Sequence, residues 1–118
     1  MKGKEKKMDV PWAVTPEKVE RAIRKIIEVS HPRRLVLFGS YIRGDMDINS
    51  DLDILVVTSD EIESPRKESV RLRRAIEDVV MPVDILVITE SLLAKLKDTP
   101  GLIYKEALQT GRIVYEST

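Results

Sequence analysis

The chain has 118 residues, of which 42% are hydrophobic and 34% charged, and Lys+Arg 20 against Asp+Glu 20 leave a formal net charge of +0. That length holds one domain, the apolar fraction is too high for a disordered chain, and the charge balance argues against binding nucleic acid by bulk charge. With no cysteine and His31 as the single histidine, disulfide scaffolds, thiol catalysis and Cys- or multi-His metal sites are excluded. No apolar run approaches the roughly 20 residues of a membrane span. No apolar core follows the charged start Met1–Lys7 either, so a cytoplasmic protein with no membrane partner is expected.

Residues 1–14 read as an N-terminal tail and residues 15–118 as the domain, with the lysine-rich first eight residues a solvated segment. Trp12 is expected to lay its ring on the domain surface. Thr15-Pro16-Glu17 is a helix start: a hydroxyl cap, Pro at the first helical position and an acid at the positive end of the dipole. Val19, Ala22, Ile23, Ile26 and Ile27 continue it as an apolar stripe, and the helix should end near Ser30-His31-Pro32. Leu35–Phe38 is a continuous apolar run, the pattern of a buried strand. Gly39-Ser40 ends it, a short helical turn over 41–44 follows, and 45–50 is a polar loop. Leu52–Thr58 reads as a second strand. Ser64-Pro65 repeats the cap-plus-Pro start, and a helix is expected to about Val79, with Arg66, Arg71, Arg73 and Arg74 on its solvated side.

Val83–Ile88 is the third strand, a short helix carries Leu92, Leu93 and Leu96, a last helix spans Leu102–Gln109, and Arg112–Tyr115 makes an edge strand. The order α-β-α-β-α-β-α-α-β predicts an α/β (α+β) fold, a small mixed sheet with helices packed on it.

Three carboxylates stand out. In a strand, positions two apart share a face, so Asp51 and Asp53 point the same way. Two like charges side by side repel unless compensated, and Mg²⁺, which takes hard oxygen ligands together with substrate phosphates, is a common compensation. An isolated Asp-x-Asp is more often a plain solvated strand end. Asp84 interrupts the next apolar strand, where an ionised carboxylate is costly unless paired or metal-bound. It reads equally as a strand-end residue capping a turn. If the two strands are neighbours the three acids converge, an arrangement that can hold two metals for an in-line phosphoryl displacement. Gly39-Ser40 lies directly after a buried strand and opens a helix, where backbone N–H groups can approach a phosphate.

Gly39-Ser40, the ten residues Tyr41–Ser50, then Asp51-Leu52-Asp53 form a spaced pattern that chance places in roughly one chain in several hundred of this length. With Leu-Phe-Gly-Ser-Tyr-Ile-Arg-Gly before it and Val-Asp-Ile on a later strand, the chain resembles the nucleotidyltransferase superfamily that includes DNA polymerase beta. Within it, the chain is most similar to the minimal nucleotidyltransferases of prokaryotes, over roughly residues 15–116.

The resemblance implies transfer of AMP from ATP with two Mg²⁺ ions. Gly39 and Ser40 would hold the nucleotide phosphates. Asp51 and Asp53 would bind both metals. Asp84 would bind the catalytic metal and help activate the acceptor hydroxyl. Arg43, matching the family's Gly-Ser-x-x-Arg-Gly, would contact phosphate or pair with Asp45, Asp47 or another acid. The resemblance also implies a partner: minimal nucleotidyltransferases often accompany an all-helical HEPN protein that acts as a toxin, and neutralise it as antitoxin by adenylylating it.

Three functions follow as expectations. The first is adenylylation of such a partner, the reading that an acceptor-binding domain absent from 118 residues favours. The second is an enzyme acting on a small molecule or RNA end, with a homo-oligomer left open. The third is a non-catalytic module that neutralises by binding. The three acids favour the first two.

Overall fold

The computed structural model describes residues 10–117. Helix α1 (Pro16–Ser30) starts where Thr15 accepts the N–H of Lys18. It stops at His31, which adopts a left-handed φ of 48° and returns its N–H to Ile27. Strand β1 (Arg34–Phe38), the single-turn helix α2 (Ser40–Arg43) and strand β2 (Leu52–Thr58) follow. Helix α3 (Pro65–Ala75) is capped by Ser64, which accepts the N–H of Lys67. Strand β3 (Val83–Thr89), helices α4 (Glu90–Leu96) and α5 (Ile103–Thr110), and strand β4 (Arg112–Glu116) complete the chain.

The four strands form one mixed sheet in the order β3-β2-β1-β4. β2 and β3 are parallel, joined through α3, and β1 runs antiparallel to both β2 and β4. Alternation along the strands sends side chains to two cores. Leu35, Leu37, Leu52, Ile54 and Val56 meet Ala22 and Ile26 of α1 and Leu72 of α3 on one face. Val36, Phe38, Leu55 and Val57 meet Leu93 of α4 and Ala107 of α5 on the other. The result is three layers with β2 buried on both sides, which is why its sequence is a continuous apolar run rather than an alternation. Each fully buried aliphatic side chain here contributes about 1.5–3 kcal/mol of transfer free energy. Val14 joins the first core and Ala13 is buried.

α3 ends at Ala75, four residues before the expected Val79. Ile76 leaves helical geometry, and the chain tightens into turns through Glu77 N–H to Arg74 O and Val79 N–H to Ile76 O. Ile76 and Val79 remain buried through that turn, so the apolar spacing that suggested helix reports burial instead. The arginines of α3 are not uniformly solvated either. Arg71 grips Glu68 with Nε to Oε1 and Nη2 to Oε2, both at 3.0 Å, and Arg73 reaches around the β3 edge. Among the described residues no helix is long and apolar enough to cross a membrane.

Candidate active site

The site lies where β1, β2 and β3 end on the α4/α5 side of the sheet. Asp53 faces this side, because it precedes Leu55 and Val57 at two-residue spacing and both belong to the second core. Asp51 precedes Asp53 by the same step. In the parallel ladder Asp53 is the register partner of Asp84, and Phe38 is its partner on the antiparallel side. Leu52 N–H donates to Pro82 O at 2.9 Å, which fixes the start of the parallel pair and hence the level of both acids. The sequence-predicted carboxylates Asp51, Asp53 and Asp84 therefore share one cleft of about 700 Å³. Gly39, Ser40 and Arg43 line the same cleft, with Asn49, Ser50 and Glu106.

Gly39 is required by the geometry. Its φ of 78° is a backbone conformation that side chains disfavour, and a Cβ there would run into Oδ2 of Asp53. The turn therefore brings backbone against a carboxylate with nothing between them. The N–H groups of Ser40 and Tyr41 stand at the first positions of α2, where no intrahelical acceptor exists. The loop to Asp51 is stiffened by Asp47. Its Oδ1 accepts from Asn49 N–H at 2.8 Å and from the Ser50 hydroxyl at 3.2 Å, and its carbonyl accepts from Ser50 N–H at 3.1 Å.

The electrostatics of the cleft are dominated by negative charge. Asp53 is pushed above the ordinary aspartate range, first by burial and then by the charges of Asp84 and Asp51. Arg43 opposes the shift, and Glu106 adds to it. Arg43 is committed to two acids, with Nε 3.2 Å from Asp45 Oδ2 and Nη1 3.7 Å from Glu106 Oε2. Asp84 is engaged by Arg73, whose Nη2 lies 3.3 Å from Oδ1 while Nη1 donates to Val83 O at 3.2 Å.

Among the described residues no three His, Asp or Glu side chains close around one metal position. The donor set nonetheless fits a hard divalent cation. Three carboxylates share a face at the mouths of adjacent strands, and the central one is destabilised as an anion first by burial and then by its neighbours. A cation would relieve that strain.

Sequence reasoning missed two residues. Glu106 comes from α5, about fifty residues beyond the Asp-x-Asp, and no spacing rule links them. Arg73 was placed on the solvated side of α3, because its route to Asp84 depends on how α3 packs beside β3.

The sequence profile described as "Polymerase beta, Nucleotidyltransferase" matches residues 20–118. No curated protein matches the chain. Among solved structures, the chain is similar to a toxin–antitoxin crystallised with AMP-PNP, with a TM-score of 0.54 at 20% identity over 89% of this chain and 76% of that one. It is similar to a protein of Sulfolobus solfataricus described as a nucleotidyltransferase, with a TM-score of 0.54 at 17% identity over 85% of this chain and 78% of that one. A mutant of the MntA–HpeT toxin–antitoxin gives a TM-score of 0.52 at 17% identity over 89% and 75%. At these identities the likeness to solved structures establishes the fold.

Proposed function

This chain belongs to the polymerase beta nucleotidyltransferase family, and from that premise we propose that it transfers AMP from ATP to a hydroxyl of a partner protein, acting as the antitoxin of a toxin–antitoxin pair. The observation that carries the reading is the shared cleft: Asp51, Asp53 and Asp84 on one face, with the Gly39–Ser40 turn against Asp53. The partner class is supported by two of the three similar solved structures described above, which are toxin–antitoxins, one of them with AMP-PNP. We take that partner to be an all-helical HEPN-type protein.

The acceptor oxygen attacks the α-phosphorus, the bond to the bridging oxygen breaks, and pyrophosphate leaves. Ser40 and Tyr41 N–H groups and the Ser40 hydroxyl would bind the nucleotide phosphates, with Gly39 allowing close approach. Asp51 and Asp53 would hold two Mg²⁺ ions, and Asp84 would complete the catalytic one. When bound, Mg²⁺ supplies charge neutralisation for the phosphates and acidifies the acceptor hydroxyl. Asp84 would accept the hydroxyl proton or hold it in place. Arg43, oriented by Asp45 and Glu106, would present its remaining N–H donors to phosphate.

The test is the intact mass of an all-helical HEPN-type protein, where one is encoded beside this chain, after incubation with the chain and MgATP. A gain of one or more adenylyl groups is expected, and none with Asp51→Asn. No gain with a stable complex would favour neutralisation by binding. No gain and no complex would remove the antitoxin reading and turn attention to small-molecule or RNA acceptors.

A further inference from the structure

Arg73 sits on α3, on the far side of the sheet from the cleft, yet its guanidinium curls round the β3 edge. Two of its nitrogens are fixed there: Nη1 donates to the Val83 carbonyl at 3.2 Å and Nη2 to Asp84 Oδ1 at 3.3 Å. The carbonyl contact anchors the guanidinium to backbone, so the fork has one side pinned and one side on the carboxylate. β3 is the outer strand of the sheet, so no neighbouring strand competes for that carbonyl.

Asp84 is the cleft acid that faces Asp53 in the ladder and contributes to its raised pKa. The opposing charge that acts on Asp53 is Arg43, which Asp45 and Glu106 already engage. Asp84 thus has its cation on one side and the carboxylates of the cleft on the other. The guanidinium also has somewhere to go. Arg73 lines a second, apolar groove of about 490 Å³ with Trp12, Glu77 and Met81, adjoining Val83. Glu77, four residues along, offers an alternative acceptor there.

We propose that Arg73 is a positioning residue that latches Asp84: it neutralises the third carboxylate while the cleft lacks a cation and hands it over when one binds. Arg73 is a competitor for the metal at this one ligand. Cation binding must break an ion pair, and the broken guanidinium moves towards Glu77 and the face of Trp12. The inference rests on the reading of the three acids as metal ligands, and it gives the basic face of α3 a part in the site.

The experiment is binding of Mn²⁺ to the nucleotide-free protein, followed by the electron paramagnetic resonance signal of the free ion. Arg73→Ala is expected to bind Mn²⁺ more tightly than wild type, by up to about fivefold, the size of a half-exposed ion pair. Arg73→Lys keeps a charge near Asp84 and should stay close to wild type. In an Asp84→Asn background, Arg73→Ala should change nothing, an outcome that a merely structural role for Arg73 would not produce. Circular dichroism of each variant confirms folding.

Equal or weaker Mn²⁺ binding by Arg73→Ala overturns the latch, as does an equal effect with and without Asp84. Absence of Mn²⁺ binding in all variants overturns it too. AMP transfer is scored separately. Transfer with unshifted metal affinity sinks the latch and spares the proposed function. A shifted affinity without transfer does the reverse.

Discussion

Asp53 carries the sharpest conflict in the molecule. Its carboxylate is opposed as an anion by burial and then by the charges of Asp84 and Asp51, and it lies where a side chain on Gly39 would have to go. Its folded pKa lies above its unfolded value, so protonation favours the native state. That stabilisation is fully present below the unfolded aspartate pKa and is lost as pH rises through the folded one. In metal-free protein, Asp53→Asn should therefore raise stability at neutral pH and remove the loss of stability that sets in as pH rises through the folded Asp53 pKa. It should also abolish the proposed AMP transfer, a trade of stability against function. Urea unfolding of both forms at pH 7 and at mildly acidic pH checks this; a less stable Asp53→Asn at neutral pH would contradict it. At this scale the sequence was informative because two-residue alternation sets Asp51 and Asp53 on one face, whereas Asp84 joins them only through the pairing of β2 with β3. Arg43 was legible as a charged residue on a turn but not as a partner of Glu106, since that pairing depends on where α5 lands.

Among the elements, the join between α1 and α3 depends on Glu68. It is 8% exposed and accepts from the Ser30 hydroxyl at 2.7 Å and from Arg71 twice. Arg71 also donates to Val29 O at 3.0 Å, so one side chain ties together the end of α1 and the start of α3. Burial pushes the Glu68 pKa up, but the hydrogen bonds from Arg71 and Ser30 and the charge of Arg71 together hold it below the usual glutamate range. A depressed pKa contributes stability above the unfolded value and loses it as pH falls through the folded value. Glu68→Ala should cost roughly 1–3 kcal/mol at neutral pH, and less under acid. Chemical denaturation at the two pH values measures it, and an equal loss at both would show that Glu68 acts by packing alone. Helix starts were legible because Thr15-Pro16 and Ser64-Pro65 are local signals. The end of α3 was not, because Ile76 and Val79 stay buried whether the chain is helical or turned. The parallel pairing of β2 with β3 was a matter of crossover, which a linear pattern only brackets.

At the scale of the whole molecule, the sheet separates two cores that share no side chain. Ile26 is fully buried on the α1/α3 side and Ile88 is 1% exposed on the α4/α5 side. Ile26→Val and Ile88→Val should each cost about 0.5–1.5 kcal/mol. Their effects should add within about 0.5 kcal/mol, because no partner is common to both. A double-mutant cycle in urea tests this, and a larger coupling would mean that β2 transmits strain across the sheet. The layer order was legible in outline: three apolar strands, an edge strand and amphipathic helices predict helices on a mixed sheet. Which helix covers which face was not, since every strand but the edge β4 is apolar enough to fit either.

The position of β4 has a further consequence. Arg34 pairs with Glu116, so β1 acquires its outer neighbour only when nearly the last described residue is in place. Arg34 also pairs with Val57 on its inner side, which is available far earlier in the chain. During synthesis β1 can therefore gain β2 on its inner edge, and β2 gain β3, while the outer edge of β1 is still bare. Closing that edge brings together residues separated by most of the chain, a contact of high order that slows folding and prolongs exposure to self-association. A chaperone, or a partner that covers that edge early, would act on this molecule before its cleft ever meets a nucleotide.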